Sequence, residues 1–369
     1  MRITDVKVTV WEWRDIPPTR YTLRVKSSVS GSTHMALVKI ITDEGIEGHA
    51  FLGSALTSLG HDANTIVERF KPMLVGKDPL DRERIWQNMS TWAIGGVMRI
   101  IGAIDVALWD LAGKAAGVPV HKLLGSYRDA VPAYASSAVL DTVEDYVEEA
   151  LRYKDMGWQA YKIHPHGTAQ ADIRICEAVR KAVGDDYRLM LDCTWSYQYP
   201  DALRVGRAAE ELDFYWYEDP LQYDDINGYM KLKQVLRIPI AATEMPSTGI
   251  HAYAPWVLQQ ATDYLRGDVA IKGGLTSCLK TAHTAETFHM NYEVHHGGNS
   301  LNNVANLHLI MAIRNCEYFE VLLPDDVQKH GLVKDIEVDK NGMVHAHTEP
   351  GLGAEIDFEL IERNKVAEL

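Results

Sequence analysis

Acid-base and metal-binding side chains recur along the middle of this 369-residue chain at nearly constant intervals. The set consists of Lys162, His164, Asp192, Glu218, Glu244, Asp268, His295 and Glu320. The gap from His164 to Asp192 is 28 residues, and the later steps are 26, 26, 24, 27 and 25 residues. One strand, its return helix and two short loops occupy about that length in a parallel barrel, because eight such units run to about 250 residues. The spacing therefore predicts successive units of a parallel α/β barrel.

Most of these polar residues close a short apolar run typical of a strand, such as LMLD at 189–192 and AATE at 241–244. Alternation of strands with helices predicts a parallel sheet with right-handed crossovers. Side chains at the C-terminal ends of barrel strands face one mouth, where this fold keeps its chemistry. The pattern predicts an enzyme, with barrel strands at 132–136, 159–163, 188–192, 214–218, 239–243, 265–269, 292–295 and 317–321.

The first third of the chain has a different pattern. It predicts two strands and then three helices, at 1–11, 35–42, 61–74, 80–91 and 96–116. The segment 12–34 is rich in Pro, Arg, Ser, Thr and Gly, so we expect a mobile loop there. We predict an α+β domain over 1–125, completed by roughly 340–369, and a barrel domain over 126–339.

Composition argues against several classes of partner. The formal net charge is −14, whereas nucleic acids and anionic membranes favour a basic face. Four scattered cysteines without CxxC pairs indicate free thiols in a reducing cytosol. The N-terminal residues resemble a first strand more than a signal peptide, and no uninterrupted apolar stretch of about 18 residues predicts a membrane span. We expect a cytoplasmic protein that binds neither nucleic acid nor membrane.

Three carboxylates, Asp192, Glu218 and Glu244, end three consecutive predicted strands. Carboxylates that converge at one mouth repel each other unless a cation neutralises them. Oxygen ligands that leave room for water and substrate suit Mg²⁺ better than Zn²⁺. Any one of the three alone is equally compatible with a helix cap or an ion pair. Their occurrence at three matching strand ends favours a magnesium site.

Four further residues are candidates for proton transfer. Lys162 and His164 are separated by one residue on a strand, so both point to the same side. Asp268 and His295 end neighbouring strands, where a carboxylate orients an imidazole and raises its basicity; singly, they are compatible with a helix cap and a core histidine. Glu320 is a candidate to hydrogen-bond a metal-bound carboxylate as a neutral or shared-proton acid, or is a surface carboxylate.

These residues lie within motifs that resemble the enolase superfamily, and within it the mandelate racemase subgroup, over nearly the whole chain. The motifs are 104–114 (IDVALWDLAGK), 118–125 (VPVHKLLG), 161–164 (YKIH) and 268–276 (DVAIKGGLT). The resemblance implies an α/β fold with an α+β capping domain on a modified (β/α)7β TIM barrel. It also implies Mg²⁺ held by Asp192, Glu218 and Glu244, and abstraction of the proton α to a carboxylate to give an enediolate, which the cation stabilises.

The residue at position 268 distinguishes the subgroups. Relatives of muconate cycloisomerase have a basic Lys there, whereas Asp268 followed by His295 resembles the mandelate racemase arrangement. Two positions depart from the family pattern. His164 replaces the second Lys of the usual Lys-x-Lys motif, and Thr194 replaces the Asn of Asp-x-Asn. Either His164 is a second base, or it only hydrogen-bonds the substrate while Lys162 tunes the site.

The resemblance favours an acid-sugar dehydratase that removes the C2 proton and then the C3 hydroxyl, leaving a 2-keto-3-deoxy acid. A racemase or epimerase of a 2-hydroxy acid is the alternative within the same chemistry. A zinc amidohydrolase is more distant: His164-Pro-His166 is an HxH motif, but it follows the second strand instead of the first. A sugar-acid binding protein without catalysis is the third alternative.

Specificity is expected from the capping domain, through the loops around 14–34 and 50–62. Candidates to contact the substrate are Arg20, Tyr21, His34 and His61 in these loops, and Trp195, Tyr197 and His296 just beyond strand ends. The four loop residues are also compatible with ordinary surface positions. The three residues beyond strand ends are candidates to line the pocket. Assembly into a homo-oligomer, a dimer or an octamer, would resemble the family.

Overall fold

The computed structural model describes residues 1–23, 29–93, 97–245 and 249–369. Its N-terminal part begins with the antiparallel strands β1 (Ile3–Thr19), β2 (Val29–Thr42) and β3 (Glu47–Leu52). Inward residues of β1, such as Val6 and Val8, are fully buried while their neighbours are exposed or half-buried. This period of two is typical of a sheet with one covered face.

The first two strands are longer than the sequence predicted. β1 continues to Thr19, which pairs with Val29 of β2, so most of the loop expected over 12–34 is strand. Register shifts between Trp13 and Ile16, and again between Ile16 and Thr19, accommodate the Pro residues in this hairpin. Cross-strand pairing therefore overrides the loop-like composition. Positions 24–28 of the predicted loop lie outside the described residues.

Helices pack against the buried face of this sheet. They are α1 (Asp62–Thr65), a π-helical turn (Ile66–Phe70), α2 (Lys71–Leu74), α3 (Arg82–Ser90), α4 (Met98–Ala116) and α5 (Val120–Leu124). The three predicted helices are thus confirmed, with the first divided by the π-turn. α4 is buried along almost its whole length. Gly48 of β3 is needed at this contact, because a Cβ there would lie 2.1 Å from the carbonyl oxygen of Ala107.

The middle of the chain forms a parallel barrel. In the described residues its eight strands are hydrogen-bonded in the order β10-β9-β8-β7-β6-β5-β4-β11. They are β4 (Ala130–Ser136), β5 (Ala160–Ile163), β6 (Arg188–Asp192), β7 (Trp216–Glu218), β8 (Ile240–Ala242), β9 (Tyr264–Gly267), β10 (Asn291–Val294) and β11 (Phe319–Leu322). The last strand in the chain pairs in parallel with the first, Phe319 facing Ala133, which leaves β10 and β11 as the two ends of a nearly closed sheet. Each predicted barrel strand is therefore confirmed within a few residues.

Seven helical crossovers connect these strands in the described part of the chain, as a (β/α)7β barrel requires. They are α6 (Val143–Asp155), α7 (Ala169–Val183), α8 (Tyr199–Glu211), α9 (Ile226–Val235), the 3₁₀ turn Ile250–Tyr253 with α10 (Ala254–Leu258), α11 (Gly274–Thr287) and α12 (Ser300–Ala312). α6 begins with a capping box between Thr142 and Asp145. Among the described residues, no helix is long and apolar enough to cross a membrane.

The C-terminal segment contacts both parts of the protein. After the 3₁₀ turn Asp325–Gln328, β12 (Met343–His345) pairs with barrel strand β4. α13 (Phe358–Arg363) leads into β13 (Lys365–Glu368), which pairs with β1 and makes the N-terminal sheet four-stranded in the described chain. The division into domains at residues 125 and 340 stays a prediction.

The motif at 104–114 holds the two parts together at the loop after β9. Asp105 accepts hydrogen bonds from the Thr276 amide at 2.9 Å and from its hydroxyl at 2.6 Å. The Trp109 indole donates to the same hydroxyl at 2.9 Å. A Cβ on Gly274 would lie 2.4 Å from the Asp105 carboxylate, so only glycine permits this approach. These contacts set the position of the loop that follows the end of β9.

Candidate active site

The three carboxylates predicted to bind metal lie together at the mouth of the barrel. Asp192 and Glu218 are the last residues of β6 and β7, and Glu244 follows β8 by two residues. One ligand oxygen from each lies within 4.8 Å of the other two. Asp192 and Glu218 are buried, whereas Glu244 is partly exposed at the mouth. This is the convergence that one bound cation requires.

Parallel strand register and unusual backbone angles explain the convergence. Asp192 and Glu218 are direct partners across β6 and β7, so their side chains leave the sheet side by side. Thr194, Asp219 and Thr243, just after the three strands, have φ angles of 44°, 42° and 84°. Such left-handed conformations cost non-glycine residues of order 1–3 kcal/mol and tend to occur at functional sites. Here they turn the chain away and leave the carboxylates at the mouth.

Lys162 lies beneath these carboxylates. Its Nζ is 3.1 Å from Asp192 Oδ2, 3.1 Å from Glu218 Oε2 and 2.7 Å from Glu320 Oε1. Burial opposes the charged amine, but Glu218 and Glu320 outweigh it and raise the pKa of Lys162 well above its ordinary value. The geometry therefore favours a permanent ammonium group at this position.

Arg266 is a site residue that the sequence reasoning missed. It is fully buried in β9, with Nε 2.6 Å from Glu218 Oε1 and Nη2 2.7 Å from Glu320 Oε2. The signal that would have found it is period-two alternation. Arg266 precedes Asp268 by two residues on the same strand and so faces the same barrel interior.

Glu320 is buried, which excludes the surface-carboxylate alternative. Its Oε1 lies against Lys162, and its Oε2 accepts from Arg266 and, at 3.1 Å, from the His296 amide. Burial favours the neutral acid, but Lys162 and Arg266 outweigh it and hold the pKa of Glu320 well below its usual range. The structure therefore favours the carboxylate, in contrast to the neutral acid expected from the sequence.

The negative charges in this cluster favour the binding of a divalent cation. In the described chain, five carboxylates converge there: Asp192, Glu218, Glu244, Asp268 and Glu320. Lys162 and Arg266 are cationic groups among them, and His295 is a further basic group. The carboxylates outnumber these basic groups, so a bound Mg²⁺ would reduce the surplus of negative charge. Hard oxygen donors and this surplus both fit Mg²⁺.

His295 and Asp268 form the predicted oriented pair. His295 Nδ1–H donates to Asp268 Oδ2 at 3.1 Å, and Nε2 lies 3.5 Å from Glu244 Oε1. The other oxygen of Asp268 accepts from Ala270 N–H and from Asn306 Nδ2, both at 2.8 Å. Burial opposes a charged imidazole, but Glu244 and the bond to Asp268 raise the pKa of His295 to about 9. Its Nε2 therefore faces the carboxylate cluster as a strongly basic atom.

His164 lies on the other side of the ligand-bearing strands. Its Nδ1–H donates to the Ser137 carbonyl at 2.7 Å, and its Nε2 lies 3.1 Å from Asp192 Oδ2. β5, which precedes His164, and β10, which precedes His295, are separated by β6 to β9. Two imidazoles thus approach the cluster from different sides. His166 takes no part, because its Nε2 hydrogen-bonds the Leu140 carbonyl at 2.7 Å.

The predicted substrate contacts in the N-terminal part differ in outcome. The Tyr21 ring packs edge-on against His164, with centroids 5.6 Å apart, and its hydroxyl accepts from Gln328 at 3.2 Å. Arg20 is more exposed, 3.9 Å from Asp141. His34 is exposed in β2 opposite Glu12, and His61 is exposed at the start of α1. Only Tyr21, of these four described residues, has a recorded contact with the site.

The candidates just beyond strand ends also differ in where the structure places them. Trp195 is half-buried near the mouth, and its ring meets Tyr223 edge-on at 6.2 Å. Tyr197 instead donates its hydroxyl to Asp172 of α7, on the outer side of the barrel. The His296 ring is buried, 4.1 Å from the Phe319 ring. The ring of the preceding residue, His295, instead contacts Glu244 and Asp268.

Comparison with known proteins agrees with this architecture. Residues 5–125 match the family described as "Mandelate racemase / muconate lactonizing enzyme, N-terminal domain", and residues 145–360 match "Enolase C-terminal domain-like". The chain belongs to the mandelate racemase/muconate lactonizing enzyme family. It is an enzyme of the enolase superfamily, as the sequence motifs predicted. This membership also removes the zinc amidohydrolase alternative.

Several relatives of this family member carry the names of acid-sugar dehydratases. It is 27% identical to arabinonate dehydratase of Saccharolobus solfataricus, over 98% of this chain and 99% of the relative. It is 28% identical to D-xylonate dehydratase of Haloferax volcanii, over 92% and 87%. The crystal structure of D-glucarate dehydratase from Agrobacterium tumefaciens, complexed with magnesium, superposes with a TM-score of 0.88 at 35% identity over 100% of both chains.

Proposed function

We propose that this enzyme is a Mg²⁺-dependent hydro-lyase that dehydrates an acid sugar, an aldonate or aldarate, to a 2-keto-3-deoxy acid. The observation that carries the proposal is the basic Nε2 of His295 beside Glu244, with Asp268 behind it. The acid-sugar dehydratases among the relatives support the choice of substrate class. The reaction breaks the C2–H bond and then the C3–O bond, so the elements of water leave the substrate.

Asp192, Glu218 and Glu244 would hold the cation, which supplies positive charge next to the substrate carboxylate and so lowers the barrier to C2–H ionisation. Lys162 is held as an ammonium by three carboxylates, so we assign it to charge stabilisation and not to proton abstraction. This favours His164 as the acid-base group at the end of β5.

The neutral form of His295 takes the C2 proton on Nε2, since Nδ1–H is engaged by Asp268. The resulting imidazolium can then donate that proton to the departing C3 hydroxyl if both groups leave from one face. In an elimination across opposite faces, a protonated His164 would give a separate proton from its Nε2 to the departing hydroxyl, while His295 keeps the proton taken from C2. Tyr21, packed on His164, would close the substrate cavity on that side and exclude water.

Racemisation or epimerisation at C2 is the second candidate, because His164 and His295 approach the cluster from different sides. It would use one imidazole to remove the proton and the other to return it. A sugar-acid binding protein without catalysis would exchange no C2 proton at all. Homo-oligomeric assembly stays a prediction.

A library of aldonic and aldaric acids separates these functions. Purified protein with Mg²⁺ is expected to form a 2-keto acid from at least one member, detected as a semicarbazone. Solvent deuterium at C2 without a keto acid would instead indicate epimerisation. The His295→Asn variant should lose turnover and keep Mg²⁺ binding, whereas His283→Asn, at an exposed position on α11, is the matched control and should keep both. Full activity of His295→Asn would contradict the proposal.

A further inference from the structure

The buried guanidinium of Arg266 has an unusual place beneath the proposed metal site. It bridges Glu218, a proposed metal ligand, and Glu320, with N–O distances of 2.6 and 2.7 Å. An arginine stays charged under all ordinary conditions, and its planar fork holds two carboxylates in fixed directions. A fully buried arginine at this position therefore adds a permanent positive charge next to the carboxylate that would bind the cation.

Contacts from three directions hold this side chain in place. Its Nη1 lies 3.3 Å from the carbonyl oxygens of both Glu293 and Val294 on the neighbouring strand. Its backbone N–H donates to Thr243 Oγ1 at 3.0 Å, and its carbonyl accepts from Tyr253 at 3.0 Å. The guanidinium is thus anchored to the barrel wall independently of the two carboxylates.

Glu218 consequently has cationic or N–H neighbours on both oxygens. Oε1 faces Arg266, while Oε2 accepts from Lys162 and from the Trp216 indole, both at 3.1 Å. Asp192 is different, because its contacts with Lys162 and His164 fall on Oδ2, and Oδ1 accepts only the Thr194 amide at 3.0 Å among its recorded hydrogen bonds. A cation that binds Glu218 therefore shares that carboxylate with two fixed positive groups.

We propose that Arg266 is a positioning residue that shares Glu218 with the bound divalent ion, which keeps ion binding weak, and that holds Glu320 back from the substrate. The inference rests on the proposed function, since it needs the ion at Asp192, Glu218 and Glu244. Without Arg266, Glu218 and Glu320 would present more negative charge to the ion and to the anionic substrate. The ion should then bind more tightly, and the substrate carboxylate should be repelled.

The sign of the effect separates this role from simple structural support. Removal of a residue that only orients a metal ligand lowers the metal affinity of the protein about 10- to 100-fold. Competition for Glu218 predicts the reverse. Arg266→Gln should tighten Mg²⁺ or Mn²⁺ binding at least about fivefold, the lower end of usual coupling between sites. The same variant should raise KM for the acid sugar more than it lowers kcat.

Two further variants keep the test decisive if Arg266→Gln folds poorly. Arg266→Lys retains the charge, so its ion affinity should stay close to that of the parent protein. Arg266→Gln combined with Glu320→Gln removes one charge of each sign. Because the competitor for Glu218 is still absent, its ion affinity should stay above the parent value, and a return to the parent value would indicate an effect of net charge alone. Bound metal is removed from each protein with EDTA, and folding is checked by circular dichroism. Each protein is then titrated with Mn²⁺, and binding is followed by calorimetry and by electron paramagnetic resonance.

The outcomes distinguish the two levels of the proposal. If the parent protein binds neither Mg²⁺ nor Mn²⁺, the proposed metal site fails and this inference falls with it. If the parent binds the ion but folded Arg266→Gln binds it equally or more weakly, only the role of Arg266 is overturned. Tighter binding by Arg266→Gln and by the double variant, with near-parent affinity in Arg266→Lys, supports sharing of Glu218.

Discussion

Removal of the divalent ion should destabilise the enzyme, because the carboxylates of the cluster would then repel each other in a buried site. An ion that binds only the folded protein stabilises it by RT ln(1 + [ion]/Kd), about 2.7 kcal/mol when the ion is at 100 times its Kd. For a domain of barrel size each kcal/mol shifts the melting temperature by roughly 2–4 °C. Saturating Mg²⁺ should therefore raise the melting temperature by about 5–10 °C over protein in EDTA.

The assay is thermal unfolding, followed by circular dichroism, across a series of Mg²⁺ concentrations. Asp192→Asn removes one proposed ligand and one negative charge, so its melting temperature should respond to Mg²⁺ by less than about 1 °C. The matched control is Asp186→Asn, which changes an exposed carboxylate in the turn before β6 and should keep the full response. An unchanged response of Asp192→Asn would refute the reasoning, since the ion would then bind elsewhere.

Three other predictions concern single side chains. Asp268→Asn should lower kcat by about 10²- to 10⁴-fold, because His295 loses its orienting carboxylate; steady-state kinetics with unchanged Mg²⁺ affinity would check this, and parent-like kcat would contradict it. Burial lowers the pKa of His308 to about 3, below an unfolded value of about 6.5. The folded protein keeps the His308 ring neutral, whereas the unfolded chain takes up a proton. The free energy of unfolding should therefore fall as pH drops below about 6.5, by roughly 2 kcal/mol at pH 5. Urea unfolding should show a flatter pH profile for His308→Gln, which keeps one donor and one acceptor. Tyr21→Phe should raise KM roughly fivefold through loss of one hydrogen bond worth about 1 kcal/mol. An unchanged KM would contradict the role of Tyr21 in closing the substrate cavity.

Much of the barrel could be predicted because its signals are local. Each strand ends in a short apolar run, and a polar residue follows at nearly constant spacing, so Asp192, Glu218 and Glu244 were recognisable without coordinates. Period-two alternation also placed Lys162 and His164 on one side of β5.

The errors arose where a pairing or packing partner decides. The hairpin of β1 and β2 extends through a segment with loop composition, because cross-strand pairing such as Thr19 with Val29 supplies hydrogen bonds that the composition does not predict. Arg266 was missed, because period-two alternation places it on the same face as Asp268 but does not show which two carboxylates it contacts. His296 follows His295 directly, yet only the strand orientation decides that its ring packs on Phe319.

The amino-acid sequence by itself determined the barrel, the order of its units and which carboxylates end three successive strands. These properties follow from the period and spacing of apolar residues, which act within one structural unit at a time. Only the tertiary structure decided the ionic state of the site. Lys162 and Arg266 come from different strands, and their charges act on Glu218 and Glu320 only because barrel closure buries all four groups together. Electrostatic coupling depends on distance and burial in space, and neither can be read from positions along the chain.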